Sequence, residues 1–291
     1  MNWKRVVVGR FTWKRLMLDL WLLPLVVYVS LAVYAWLLAD RLIFLPRPSS
    51  YGPTDDMLRL TTPDGATLYA VYLPNPAARF TLLYSHGNAE DLGDAMPDLE
   101  RLRDLGYAVF SYDYRGYGFS SGRPSTKGVC SDAETAYRYL REALELSPER
   151  IVPYGRSVGG GPAVHLAATQ PVGGLIVQST FTSAFVVMTR VPILPFDRFR
   201  NLALIARVRC PVLVMHGGRD GVVSFSHGMK LYARAPEPKR CLWLPDAGHD
   251  SFPGDHEAEY AATLKEFEAL LAATHGLAEG RAAGGPLSPS R

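Results

Sequence analysis

Three residues whose types cooperate in nucleophilic catalysis stand far apart in the chain: Ser157, Asp220 and His249. Ser157 is the centre of Gly155-Arg156-Ser157-Val158-Gly159, a Gly-x-Ser-x-Gly pentapeptide. Serine is a poor nucleophile at neutral pH and needs a neighbouring base. Histidine, ordinarily with a pKa of about 6.5, can take that proton and return it to a leaving group. An aspartate bonded to the imidazole fixes its tautomer and stabilises the imidazolium that forms. Together the three would transfer an acyl group to water through a covalent acyl-enzyme.

For this the side chains must meet, and the surrounding elements say where. Ile151 to Tyr154 is a short apolar run of the kind a buried parallel strand shows, and Pro162 to Ala168 reads as a helix. A reversal this sharp between strand and helix requires flanking glycines and leaves the central Oγ projecting beyond the strand end. The N–H groups that follow lie at a helix N-terminus, where partial positive charge can meet an anion. Val212 to His216 reads as a later strand running into Gly217-Gly218-Arg219-Asp220. Cys241 to Leu244 reads as another, and Pro245-Asp246-Ala247-Gly248-His249-Asp250 follows it. Phe80 to Tyr84 is a strand that ends in Ser85-His86-Gly87-Asn88-Ala89. Sites in parallel sheets gather beyond the carboxyl ends of the strands, so all four stretches belong to one edge.

The remaining elements agree with such a sheet. Met57 to Thr61 and Thr67 to Leu73 alternate apolar and polar residues around Pro63-Asp64-Gly65, a hairpin. Tyr107 to Tyr112 and Leu175 to Gln178 read as strands. Helices are expected at Met96 to Leu105, near Met229 to Ala235 and at Glu257 to Leu271. Ser131-Asp132-Ala133-Glu134 reads as a capping box opening a helix with Ala136, Tyr137, Leu140 and Leu144 on one face. The stretch from Phe181 to Arg209 is irregular, where a short lid would sit. The expectation is an α/β fold, a mainly parallel central sheet with helices on both faces, led by an antiparallel hairpin.

From about Met57 to Leu271 the chain resembles an α/β-hydrolase. More narrowly, it resembles membrane-anchored serine hydrolases with a single N-terminal span and a His-Gly-Asn turn. The matching stretches are Ser85-His86-Gly87-Asn88-Ala89, Asp113-Tyr114-Arg115-Gly116-Tyr117-Gly118, Gly155-Arg156-Ser157-Val158-Gly159-Gly160, His216-Gly217-Gly218-Arg219-Asp220 and Gly248-His249. The order Ser157, Asp220, His249 is that of the α/β-hydrolase triad. The resemblance implies an oxyanion hole made by the backbone N–H groups of Asn88 and Val158. Ala89-Glu90 departs from the Ala-Gly often found at that point. The expected substrate is a small-molecule carboxylic ester or thioester, with a lipid or other acyl compound as one form. No metal or cofactor enters this chemistry. A serine peptidase of related fold and a non-catalytic lipid-binding or scaffold protein are the competing functions.

Other residues compete for the same roles. Asp113 lies in an Asp-x-Arg-Gly turn and is expected to bind local backbone or Arg115. Asp246 and Asp250 flank His249, but sequence neighbours rarely orient an imidazole, so Asp220 is preferred. Ser179-Thr180-Phe181, where some α/β-hydrolases carry the acid, holds no carboxylate. Gly116-Tyr117-Gly118 hints at a dinucleotide turn, but the third glycine is replaced by Ser121, and the glycines after Ser157 lack the lysine of a phosphate-binding loop. His86, His165, His216, His227, His256 and His275 show no metal-binding spacing and are expected to be structural or exposed. Arg156 is expected to be solvated or structural rather than a substrate contact. Cys130, Cys210 and Cys241 form neither a disulfide framework nor a zinc pattern and are expected to be buried free thiols, with a single disulfide as the alternative.

The net charge of +3 is too small to argue for a nucleic-acid partner. The membrane is a better one. Twenty residues without a charge, Leu20 to Ala39, would span roughly 30 Å as a helix, a bilayer core. Trp21 and Trp36 stand near its ends, and Pro24 is a residue that membrane helices tolerate. A cleaved signal ending at Val33-Tyr34-Ala35 is the rival, but signal cores run about 7–15 residues, shorter than this one. The organisation is then a basic flank at 1–19, a span at 20–39, a Pro/Ser-rich linker at 40–55, a hydrolase domain at 56–274 and a disordered tail at 275–291. Lys4, Arg5, Arg10, Lys14 and Arg15 precede the span and Arg41, Arg47 and Arg59 follow it. That bias puts the hydrolase domain on the non-cytoplasmic side. A reporter active only outside the cytoplasm, fused after the last helix, is expected to give signal. Signal from a cytoplasm-only reporter would reverse the orientation, and a soluble fragment beginning near Trp36 would identify a cleaved signal.

Overall fold

A computed structural model describes residues 13–52, 54, 57–189 and 193–277. Lys4, Arg5, Arg10 and the tail from 278 lie outside the described residues. The chain divides into two units, one up to Leu42 and one from Ile43 onward. Helix α1 (Trp13–Ile43), all but its last residue in the first unit, is continuous through Pro24 and runs on past Asp40 and Arg41. Its stretch Leu20–Ile43 is long and apolar enough to cross a bilayer. Trp21, Leu23, Leu31 and Leu37 are exposed along it, which water disfavours and a hydrocarbon surround does not.

The second unit is built on one eight-stranded sheet. Its strands are β1 (Leu58–Thr61), β2 (Thr67–Leu73), β3 (Thr81–Ser85), β4 (Ala108–Tyr112), β5 (Ile151–Arg156), β6 (Leu175–Gln178), β7 (Val212–Gly217) and β8 (Lys239–Leu244). Their order is β1-β2-β4-β3-β5-β6-β7-β8. The β1–β2 hairpin joins β4 antiparallel, and every other pairing is parallel. The α/β-hydrolase architecture expected from the sequence is present.

Central strands are apolar on both faces, as a sheet covered twice requires. The register sets Leu82 beside Val109 and Ile176 beside Leu213, and their neighbours Leu83 beside Phe110 and Val177 beside Val214. The first set packs with helices α2 (Leu92–Asp104) and α8 (Glu257–His275), through Leu99, Leu264 and Phe267. The second set packs with α3 (Thr126–Glu142) and α4 (Gly160–Thr169), through Val129, Ala136 and Val164. Two short helices, α5 (Ala184–Thr189) and α6 (Asn201–Ile205), interrupt the irregular lid, and α7 (Phe225–Arg234) follows β7.

Two local expectations change. Helix α3 opens at Thr126 with Ser125 as its cap, the Ser125 Oγ accepting from the Gly128 N–H at 3.0 Å. Ser131 and Glu134 therefore lie mid-helix, and Glu134 binds His165 at 2.9 Å instead of capping. Asp132 of the supposed box is buried against Arg115, accepting from its backbone N–H and Nε at 2.9 Å and from Nη2 at 2.8 Å. Arg115 also donates to Asp64 at 2.7 Å, so its guanidinium is committed to these two carboxylates and not to Asp113. This pair anchors the Asp113–Gly118 turn to α3. Asp132→Ala leaves a largely buried guanidinium short of its partner and is expected to cost about 3–5 kcal/mol. Urea denaturation should show this, with Asp64→Ala, whose side chain is mostly in solvent, shifting the midpoint far less.

Candidate active site

Strand β5 delivers its last residue, Arg156, into a single 3₁₀ turn, Ser157–Gly159, that leads into α4. Ser157 sits in the left-handed region at φ +52, a strained position for a residue with a side chain. The flanking glycines have a spatial reason. A Cβ on Gly155 would lie 2.4 Å from the Gly159 carbonyl oxygen, and one on Gly159 would lie 2.0 Å from that of Ser85. The Thr180 hydroxyl donates to the Ser157 carbonyl at 2.6 Å and pins the turn.

Ser157, Asp220 and His249 meet at this edge of the sheet. Asp220 follows β7 and His249 follows β8. With its proton on Nδ1, His249 donates to Asp220 Oδ2 at 2.7 Å, and its Nε2 accepts from the Ser157 hydroxyl at 2.9 Å. Asp220 Oδ1 accepts from the N–H groups of Val222 and Val223 at 2.9 and 2.7 Å. Burial alone would push the Asp220 carboxyl up. Hydrogen bonds from His216, His249 and the Val223 N–H outweigh it and hold the group well below the usual carboxylate range.

The neighbouring acids have other partners. Asp246 pairs with Arg219 at 2.8 Å and Asp250 with Arg156 at 3.2 Å. Asp113 accepts from the Leu92 N–H at 2.9 Å and the Tyr51 hydroxyl at 2.5 Å, which are neither the local backbone nor the Arg115 contact expected.

Beyond β3 the turn from His86 to Glu90 lies beside the serine turn. His86 Nδ1–H donates to the Gly87 carbonyl at 2.8 Å, and the Tyr114 hydroxyl donates to that of His86 at 2.7 Å. Ala89 is left-handed at φ +56. Glu90, the departure noted in the sequence, accepts from the Gly87 N–H at 3.2 Å and pairs with Arg156. Arg156 thus bridges Glu90 and Asp250 and is structural. Among the described residues no acceptor takes the Asn88 backbone N–H. The Asn88 side chain is fully engaged, its Oδ1 accepting from the Tyr117 hydroxyl at 2.7 Å and its Nδ2 donating to the Ile43 carbonyl at 2.7 Å.

Three features escaped the sequence reading. His216 Nε2–H donates to the Val223 carbonyl at 2.9 Å and lies 3.3 Å from Asp220 Oδ2, so two imidazoles flank one carboxylate. Its place four residues before Asp220, at a strand end, was the available signal. The Glu90–Arg156–Asp250 bridge joins residues 66 and 94 positions apart and left no local signal. Phe44, in the stretch read as linker, is buried in the core of the second unit at 3% exposure. Away from the three residues, a cavity of about 810 Å³ is lined by Val186, Leu194, Phe196 and Leu202, with Arg200 and Lys230 among its polar groups. The thiols Cys130, Cys210 and Cys241 are free, and burial pushes Cys130 and Cys210 up to about 12.

Comparison with known proteins gives this geometry a family. Residues 76–194 match the family model described as serine aminopeptidase, S33. Over 217 residues the chain is 38% identical to α/β hydrolase domain-containing protein 17C of Xenopus laevis, covering 73% of this chain and 69% of that one. The chain belongs to the α/β-hydrolase family. This hydrolase is also 41% identical to the mouse 17C protein over 196 residues, 66% of its own length and 60% of the relative's. An esterase of Pyrococcus furiosus superposes with a TM-score of 0.63 at 20% identity, covering 76% of this chain and 99% of the esterase. Est1E of Butyrivibrio proteoclasticus, solved with ferulic acid bound, does so at 0.63 and 19%, covering 74% and 99%. At these identities the two structures show a common fold.

The contact between Gly159 and the end of β3 makes a sharp prediction. A methyl group there meets backbone oxygens that no rotamer can move. Gly159→Ala is expected to cost this hydrolase more than the roughly 1–3 kcal/mol usual for overpacking, with a lowered thermal midpoint as the measure.

Proposed function

We propose that this protein is a membrane-anchored serine hydrolase that cleaves carboxylic esters or thioesters. The observation that carries the reading is the unbroken chain of hydrogen bonds from Ser157 Oγ through His249 to Asp220, at 2.9 and 2.7 Å. His249 takes the Ser157 proton as Oγ attacks the acyl carbonyl. Asp220, ionised, holds the imidazole and stabilises its charged form. The backbone N–H groups of Asn88 and Val158 receive the oxyanion. His249 then protonates the departing alcohol or thiol, and water repeats the sequence on the acyl-enzyme. Helix α1 serves as the anchor, with the hydrolase domain on the non-cytoplasmic side.

An acyl substrate is supported by the apolar run of the stretch between β6 and β7, with Phe185, Val186, Leu194 and Phe196. Each methylene buried there would contribute roughly 0.8 kcal/mol, about fourfold in binding. The description of the matched family model as an aminopeptidase keeps amides as the second reading.

A fluorophosphonate probe on the purified protein tests the assignment. Labelling is expected in the wild type and lost in Ser157→Ala. Turnover should fall by about 10⁴–10⁶ in Ser157→Ala and His249→Ala, and by about 10⁴ in Asp220→Asn. Near-normal rates in Asp220→Asn together with a large loss in Asp246→Asn would move the acid. Absent labelling would favour the scaffold reading. On a substrate panel, kcat/KM is expected to rise from acetyl towards medium-chain esters or thioesters, with amides poor. Phe196→Ala should flatten the long end of that series, and preferential amide turnover would select the peptidase.

A further inference from the structure

The stretch from Phe44 to Tyr51 follows α1 and leads to the hairpin, and it has no regular structure. Its hydrogen bonds nonetheless converge on the turn that carries the Asn88 N–H. The Asn88 carboxamide donates through Nδ2 to the Ile43 carbonyl at 2.7 Å. Its Oδ1 accepts from the Leu45 N–H at 3.0 Å and the Tyr117 hydroxyl at 2.7 Å, and Leu45 N–H also reaches the Tyr117 oxygen at 3.1 Å. Three residues further, Asp91 caps α2 and accepts from the Ser50 N–H at 2.7 Å and the Ser49 hydroxyl at 3.1 Å. The Tyr51 hydroxyl donates to Asp113, which in turn accepts from the Leu92 N–H. Between these anchors the left-handed Ala89 is held in a conformation that persists only when its surroundings over-determine it.

The same stretch reaches the other side of the site by packing. Phe44 is buried edge-on to Phe199, with ring centroids 5.9 Å apart. The Phe199 ring occupies the space where a side chain at Gly161 would stand, in the first turn of α4 after Ser157. Segment 44–51 therefore braces both the Asn88 turn and the helix start beyond the serine.

We propose that this segment is part of the catalytic apparatus, and that the Asn88 side chain is a positioning group. Its carboxamide ties the turn to residues 43–45 and so aims the backbone N–H of the same residue at the developing oxyanion. The inference rests on the assignment of that N–H as an oxyanion donor. Catalytic donors must be held to within about 0.5 Å, and a surface turn with a left-handed alanine does not hold itself that closely. Asn88→Ala keeps the N–H but cuts its tether, which separates positioning from donation.

The test uses the full chain with three changes: Asn88→Ala, Leu45→Pro, which deletes the N–H that Asn88 accepts, and the two combined. Deleting an oxyanion donor costs about 10²–10³ in kcat, and a misaimed donor should cost less, roughly 10- to 100-fold. That loss is expected in kcat with KM nearly unchanged, and the shape of the pH–rate profile should be kept. Affinity for a trifluoromethyl ketone, which forms a tetrahedral adduct on serine, should fall in step with kcat/KM. Because the Leu45 bond is one of those that Asn88→Ala removes, the double variant should be little worse than Asn88→Ala alone. Wild-type kcat in Asn88→Ala, or a loss confined to KM or to thermal stability, would overturn the proposal while leaving the serine hydrolase reading intact. A wild-type protein inert to the fluorophosphonate and to the ester, thioester and amide panel would overturn both.

Discussion

The close approach of the Ser157 turn to the end of β3 is the contact on which the rest of the site depends. Register sets Ser85, the last residue of β3, beside Gly155 of β5, which ends one residue later at Arg156. Gly159 then meets the Ser85 and His86 carbonyls at a distance that excludes any side chain. The serine turn and the Asn88 turn are thus pressed together by backbone, not by mobile side chains. Left-handed residues at both Ser157 and Ala89 are the conformational cost of that proximity. Surrounding hydrogen bonds, from Thr180 on one side and Asn88 and Asp91 on the other, offset it.

Electrostatics at this edge follow one rule: each buried carboxylate is surrounded by donors. Asp220 has two imidazoles and two backbone N–H groups, enough to keep it charged against its own burial. Asp91 likewise overcomes burial through the hydroxyl and N–H of Ser50, the N–H of Asp94 and the hydroxyl of Ser49, and is held low. Glu90 and Asp250 share Arg156. Because the acids beside Ser157 and His249 are taken by arginines or by backbone, His249 has one carboxylate, Asp220, to orient it. The imidazole direction is therefore decided by the partners of the other acids as much as by Asp220.

Strand periodicity, turn glycines and the order of serine, acid and histidine were all legible in the chain as written. They are local facts: a parallel strand buried on both faces is apolar without interruption, and a strand–turn–helix reversal demands glycine at set offsets. The α/β architecture, the elements that carry Ser157, Asp220 and His249, and the helix of α1 therefore follow from local pattern alone. Tertiary structure decided what depends on partners distant along the chain. Ser131-Asp132-Ala133-Glu134 looked like a capping box because its ends fit the pattern, yet Ser125 caps the helix and Asp132 turns inward to Arg115. Residues 44–51 looked like a linker because they are rich in proline and serine, a composition that says nothing of what the polar groups will bind. Whether Ser49, Ser50 and Tyr51 face water or Asp91 and Asp113 is set by partners 41 to 62 residues away. Only the folded sheet brings those partners within hydrogen-bonding distance.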